Sequence, residues 1–332
     1  MNVIMGQAGG ADTPGRAAIG GANILITGGA GFIGSHLADR LLDEGAARVV
    51  VLDNLFLGKL ENLTGALGRG AVFIRDDAEI EGTLAYAIAE HGIDVVFNCA
   101  TKALNYSFIN PLNAYLTNVR IMANLLELQR AGAFATLCHF SSSEVYGTAV
   151  YEPMDESHPM NPTTTYAAGK AAADIMLHSY VKQYGLDSFI MRPFNNYGPR
   201  QNFEGPLAGI IPATARRVMS GEPPEIHGTG GQSRDFIYVL DTVDAVMKLY
   251  GRLPAGEAVN ISTNGQISVN ELMALMAREL GYTGETLRKE ARTADVLCHN
   301  ASNEKMKTFI DFTPTPFSDG LRETLAWYKA HI

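Results

Sequence analysis

An apolar run, Asn23 to Thr27, ends in the turn Gly28-Gly29-Ala30-Gly31-Phe32-Ile33-Gly34. The turn leads into Phe32 to Glu44, where Ile33, Leu37, Leu41 and Leu42 recur at helical spacing. Few folds begin this way. Glycine lets backbone approach an anion closely, and the N–H groups at a helix start face its charge. The spacing Gly28-x-x-Gly31-x-x-Gly34 departs from the commonest dinucleotide fingerprint, G-x-G-x-x-G, and any tight strand–helix turn favours glycine, so the loop needs a second residue to give it meaning. Asp53 is that residue. It ends a second buried run, Arg48 to Leu52, at about the distance where an acidic side chain receives a ribose diol. Its carboxylate would repel a 2′-phosphate and no arginine follows directly, so NAD is favoured over NADP. A turn or helix-capping aspartate is the plainer alternative. Gly28, Gly31, Phe32, Ile33 and Gly34, with Asp53 and Asn54, are the expected cofactor-binding set. Asp76, after the run Ala71 to Ile74, could accept from an adenine amino group; Asp77 competes for that role, and either could be a turn residue.

The rest of the first half alternates in the same way. Runs at Ile93–Cys99, Thr136–Ser141 and Asp187–Arg192 read as buried strands, and helical spacing covers Leu84–His91, Pro111–Arg130 and Tyr166–Tyr184. Continuously apolar strands between helices predict an α/β fold, a Rossmann-like doubly wound parallel sheet over 21–192. After Arg192 come Pro193, Pro199, Pro206, Pro212, Pro223 and Pro224, and shorter elements. Residues 193–332 are expected to form mainly a smaller substrate-binding lobe, interleaved with the first and able to return strands to its sheet. Residues 1–20, rich in Gly and Ala, read as a flexible tail rather than a signal peptide.

Composition removes several classes. A net charge of −9 argues against a nucleic-acid partner. No stretch of about 18 apolar residues is present, so no membrane span is expected. Cys99, Cys138 and Cys298 are odd in number and scattered, which suits a reducing cytoplasm; Cys99 and Cys138 lie in apolar runs and read as core. No His/Cys spacing fits zinc, and no metal is expected.

The chemistry gathers further along. Tyr166 and Lys170, i and i+4, project from one face of a helix. Free tyrosine is a poor base near neutrality, but an adjacent ammonium favours the phenolate. Ser142-Ser143-Glu144 follows a strand end and adds hydroxyls and a carboxylate. Simple alcohol oxidation needs one base, so Glu144 suggests a second proton transfer; a solvated or capping carboxylate is the alternative.

These segments resemble the extended short-chain dehydrogenase/reductase family, in its nucleotide-sugar epimerase/dehydratase branch. The resemblance runs over about residues 22 to 330. It rests on Thr27 to Gly34, Ser141 to Gly147, Tyr166-x-x-x-Lys170, Arg192-Pro193-Phe194-Asn195-Asn196-Tyr197-Gly198-Pro199-Arg200 and Arg234-Asp235-Phe236-Ile237-Tyr238-Val239. It implies an NAD-dependent enzyme that oxidises a nucleotide sugar at C4, with Tyr166 as base, Lys170 on the nicotinamide ribose and Ser142 on the substrate hydroxyl. Asn195, Arg234 and Arg292 would grip sugar, ribose and pyrophosphate. In the 4,6-dehydratases a glutamate at the Glu144 position removes the C5 proton while its neighbour, here Ser143, helps the C6 hydroxyl depart; the dTDP-glucose enzymes carry an aspartate there. A Ser-Glu pair is found in GDP-mannose-type dehydratases and UDP-glucuronate decarboxylases. Lys102-Ala103 and Arg292 to Val296 are closer to UDP-galactose 4-epimerases, with Lys102 either a cofactor contact or a surface lysine. The expected order is therefore 4,6-dehydratase, 4-epimerase, then decarboxylase, acting on a UDP-sugar, with a non-catalytic NAD(H)-binding regulator as the alternative outside the enzymes. Arg216 and Arg217 read as surface residues, Arg200 stays open and Tyr238 reads as packing. The helices at 111–130 and 165–184 match those that pair in family homodimers.

Overall fold

The computed structural model describes residues 16–290 and 298–332. Arg292, expected at the substrate, and residues 1–15 of the expected tail lie outside them. The central sheet has seven parallel strands: β1 (Asn23–Thr27), β2 (Arg48–Leu52), β3 (Val72–Ile74), β4 (Val95–Asn98), β5 (Thr136–Phe140), β6 (Asp187–Pro193) and β7 (Ala258–Ile261), in the order β3-β2-β1-β4-β5-β6-β7. Their register aligns the carboxyl ends. Thr27 sits opposite Leu52 and Asn98, Asn98 opposite His139, and Leu52 opposite Ile74. The loops after β1 to β5 therefore emerge along one edge, and the strand order reverses between β1 and β4, where open α/β sheets bind ligands.

Alternate residues of each strand feed two cores. Ile24, Ile26, Val49 and Val51 pack under α1 (Phe32–Asp43), while Leu25, Val50 and Val96 pack on the other face under Glu81–His91 and Pro111–Arg130. Local signals fix the two long helices beside the site. Asn110 caps Pro111–Arg130 by accepting from the Asn113 amide at 3.1 Å. Thr164 caps Thr165–Tyr184 by accepting from the Ala167 amide at 3.2 Å, and Gly185 ends that helix in the left-handed region. At Gly169 the two helices are so close that a Cβ would lie 2.7 Å from the Tyr115 carbonyl oxygen.

The chain after Arg192 forms small sheets, such as Asn195–Tyr197 paired with Phe236–Tyr238, around a core that includes Tyr197, Phe236, Tyr238 and Tyr328. It also returns to the first unit: β7 extends the large sheet beside β6, and Val243, Val246 and Leu249 of Val239–Tyr250 join the core under α1. Tyr238 is packing, with its hydroxyl donating to Glu323 at 2.7 Å.

The tail expectation needs correction at Arg16–Gly20. Arg16 lies over the Phe189 ring at 4.1 Å and its guanidinium pairs with Asp187 at 2.6 Å, because a largely buried carboxylate at the start of β6 is stabilised by a counter-charge. Ala17 and Ile19 pack on the first core. Among the described residues no helix is long and apolar enough to cross a membrane, and no group of three or more His, Cys, Asp or Glu is placed to hold a metal ion.

Candidate active site

A cavity of about 480 Å³ runs along the carboxyl edge of the sheet. Gly28, Gly31, Phe32, Ile33, Gly34, Asp53, Asn54 and Asp76 all line it, together with Lys102, Tyr166 and Lys170. Its floor is a turn that only glycine permits. Gly28 has φ +68, and a Cβ there would lie 2.7 Å from the Ala100 backbone; at Gly34 a Cβ would lie 2.6 Å from the Gly28 carbonyl oxygen. Gly31 begins α1 with no side-chain cap, so the first-turn amides are left for an anion. These features fit the pyrophosphate of a dinucleotide. Gly34→Ala is expected to weaken NAD binding at least about tenfold, or about 1.4 kcal/mol, by pushing that loop open; calorimetric titration with NAD measures it, and unchanged affinity would refute the close-approach argument.

Asp53 is more than a turn residue. Buried at the end of β2, it accepts from the Ala30 amide at 3.0 Å and the Leu55 amide at 2.7 Å, tying the glycine turn to the strand while lining the cavity. Burial raises its pKa, and the amides and Lys102 pull the other way. Asp77 is committed to its own turn, accepting from Asn54 at 2.9 Å and the Glu79 amide at 2.9 Å; Asp76 is exposed and accepts from the Asp77 amide at 2.7 Å. Lys102 is not a surface lysine. It is 8% exposed, with its ammonium 4.2 Å from the centroid of the Phe56 ring and near Asp53. Cys99, expected in the core, is only half-buried and lines the cavity because β4 ends one residue earlier; burial still pushes its thiol up to about 12.

Tyr166 and Lys170, i and i+4 on one helix, both line the large cavity. Lys170 is 1% exposed, and its ammonium donates to the Phe140 carbonyl at 2.7 Å. Burial lowers it to about 8, against the opposing charge of Asp174. Burial likewise pushes the Tyr166 phenol up to about 12, while hydrogen bonding with Ser142 and Thr101 pulls it down. The Tyr166 amide donates to the Ser107 hydroxyl at 3.0 Å.

The Ser142–Glu144 step is held from both ends. Ser142 accepts from the Glu144 amide at 3.2 Å and caps a 3-10 turn, Ser143–Tyr146. Val145 and Tyr146 anchor that turn in a small core with Met154 and Phe194, and Gly147 follows where a Cβ would strike the Asn161 carbonyl. Ser143 is 3% exposed. Glu144 and Asn195 lie on the wall shared by the large cavity and a second one of about 280 Å³.

Arg234 lines the second cavity and donates to the Ser233 carbonyl at 2.9 Å. Arg217, expected at the surface, is half-buried there and paired with Glu222 at 3.0 Å and Glu225 at 3.2 Å; Arg216 is exposed. Arg200 lines the larger cavity and pairs with Asp39 at 2.8 Å. Thr101, Phe56 and Asp174 bear on the site and were not singled out in the sequence. Only Asp174 left a signal there, one helical turn beyond Lys170 on the same face.

The model of the NAD dependent epimerase/dehydratase family matches residues 24–262. UDP-glucose 4-epimerase of Mycolicibacterium smegmatis is 32% identical over 92% of this chain and 98% of its own length. The structure of UDP-glucose 4-epimerase with UDP-glucose from Thermotoga maritima superposes with a TM-score of 0.88 at 32% identity, covering 93% of this chain and 99% of that one. That of dTDP-glucose 4,6-dehydratase from Streptomyces venezuelae with NAD bound gives 0.87 at 29% identity, covering 93% and 97%. With the glycine turn, Asp53 and the Tyr166–Lys170 pair on one cavity, the chain belongs to the NAD dependent epimerase/dehydratase family, as an NAD-dependent enzyme in a family whose matched members modify nucleotide sugars.

Proposed function

We propose that the protein oxidises C4 of a nucleotide sugar and then eliminates water across C5 and C6, as a sugar-nucleotide 4,6-dehydratase. The observation that carries the second half is the position of Glu144, on the wall between the two cavities and close enough for its charge to act on the Tyr166 phenol. A sugar whose nucleotide occupies the smaller cavity near Arg234 and Asn195 would meet Tyr166 and Glu144 together. Ser142 orients the C4 hydroxyl and Tyr166 removes its proton. NAD, when bound, supplies a reversible hydride acceptor. The C4 ketone acidifies C5–H, Glu144 takes that proton, and the C6 hydroxyl, protonated with help from Ser143, leaves as water; the hydride taken from C4 then returns to C6 and a proton to C5, which closes the redox cycle. UDP-sugars are favoured as substrates by the likeness to the two UDP-glucose epimerases.

That same likeness, with Ser143 in place of an acidic residue, favours a second reading, 4-epimerisation. Incubation with UDP-glucose, UDP-N-acetylglucosamine, UDP-glucuronate, dTDP-glucose and GDP-mannose, followed by product mass, separates them. Loss of water supports dehydration; unchanged mass with inverted C4 supports epimerisation, and loss of carbon dioxide would assign decarboxylation. Glu144→Gln is expected to lower dehydration about 10²-fold or more. Full activity of that variant on the true substrate would remove Glu144 from the mechanism.

A homodimer through Pro111–Arg130 and Thr165–Tyr184 is also proposed, on the exposure of Leu112 at 66% and Ile175 at 59%. Sedimentation of the wild type should give twice the chain mass, and Leu112→Asp with Ile175→Asp should give one.

A further inference from the structure

Behind Tyr166 and Lys170 lies a buried polar network. Asp174, 1% exposed, accepts from the Ser141 hydroxyl at 2.7 Å and from the Arg192 guanidinium at 2.8 Å, both on Oδ2. Arg192 is itself 1% exposed and donates to the Tyr146 hydroxyl at 2.6 Å; Tyr146 donates onward to Asn260 at 2.7 Å. On the other side, Oδ1 faces His139 Nε2 at 3.6 Å. Thr27 donates to Asn98 Oδ1 at 2.7 Å, so the Asn98 amide nitrogen is left to donate to His139 Nδ1 at 3.1 Å, and the ring proton belongs on Nε2, toward Asp174. Burial, with Lys170 and Arg192 nearby, holds His139 neutral. A chain of polar contacts thus runs from the residue before the glycine turn to the helix that carries the catalytic pair.

The charges in this network do not cancel. Lys170 and Arg192 are two buried cations and Asp174 is the one buried anion between them, from the next turn of the Lys170 helix and from β6. The other groups facing the cluster are Cys99 after β4, which faces Lys170, Glu144, which acts on Tyr166, and Glu156, which acts on Arg192 and Tyr146. Cys99 is held as the thiol, so it adds no charge.

We propose that Asp174 is a positioning residue for the Tyr166–Lys170 pair. With Arg192 it sets a buried charge of one excess cation behind the phenol, which keeps Lys170 protonated and is neutralised when Tyr166 ionises. Without Asp174, two cations would face each other and the lysine would give up its proton too readily. Without Arg192, phenolate formation would leave the cluster with an unbalanced anion. The inference takes the catalytic role of Tyr166 and Lys170 from the proposed reaction.

The test uses full-length NAD-loaded protein whose fold is checked by circular dichroism and melting. In Asp174→Asn both the acid and the alkaline limb of the kcat–pH profile are expected to move to lower pH, by about one unit or more. In Arg192→Gln both are expected to move to higher pH. The opposed signs are what a purely structural role cannot produce, and one folded variant is enough because each has its own sign. An ultraviolet difference titration of the Tyr166 phenol, Asp174→Asn minus Asp174→Asn with Tyr166→Phe, reads the same downward shift without turnover. Uniform loss of kcat with unmoved limbs and an unmoved phenol titration would overturn the inference. Retained turnover in Tyr166→Phe alone would instead overturn the proposed reaction and leave the phenol titration standing.

Discussion

Tyr166→Phe is expected to lower kcat by about 10²- to 10⁴-fold while the protein keeps its NAD. The phenylalanine ring fills the same space, and the Ser107 contact is to the Tyr166 amide, so the helix start is untouched. What is lost is one ionisable hydroxyl. Burial sets that hydroxyl at about 12, where only about one phenol in 10⁵ is ionised at pH 7. Such a base is useless unless positive charge reaches it. Lys170 lines the same cavity one helical turn on, and with its own pKa drawn down by burial to about 8 it is charged below that pH and loses the charge above it. Turnover near neutrality requires the phenol of the NAD-loaded enzyme to ionise below the Lys170 value; activity should then rise as it does so and fall above about pH 8 as Lys170 deprotonates. Steady-state rates across pH on the true substrate, with the retained cofactor read by absorbance, check both points. A Tyr166→Phe variant within a factor of two of wild type would mean that some other group moves the proton.

How much of this was legible beforehand follows the range of the interactions. The glycine turn, Asp53 and Tyr166–Lys170 are local patterns, each within one strand–turn–helix step, and the sheet brought them to one cavity. The two long helices carried their own caps in sequence, Asn110-Pro111 and Thr164 with Gly185. Lys102 was open because its burial depends on Phe56, 46 positions earlier, folding its ring beneath the ammonium. Asp174 shows in the sequence only its helical spacing from Lys170, not its partners. Its neighbours His139 and Arg192 become neighbours only once β5 and β6 pair side by side. Cys99 looked like core because apolar periodicity marks a strand without fixing where its last residue falls, and one residue decides between sheet and cavity wall.

Arg16 is the extreme case of such a long-range contact, and its replacement carries the largest expected change in stability. Arg16→Ala is expected to cost about 3 kcal/mol, the lower end for breaking a buried ion pair, since Asp187 keeps 17% exposure and so some access to water. Every nitrogen of the guanidinium is used. Nε and Nη2 donate to Asp187 at 3.0 and 2.6 Å, while Nη1 donates to the Leu253 carbonyl at 2.8 Å and to the Tyr250 carbonyl. The plane stacks on Phe189. Removing it leaves Asp187 at the head of β6 with the Thr136 hydroxyl, at 2.8 Å, as a neutral donor in place of a counter-charge. It also leaves the carbonyls of Tyr250, at the end of Val239–Tyr250, and of Leu253 without this donor. For a chain of this size about 3 kcal/mol corresponds to roughly 4 °C in Tm. Arg16→Lys should recover only part of it, because an ammonium cannot span the carboxylate and the two carbonyls at once. Differential scanning calorimetry of both variants measures the ordering. Equal melting of Arg16→Ala and wild type would show that the Arg16–Asp187 pair adds nothing to stability; the expected drop would make a residue that precedes the sheet an anchor for the head of β6.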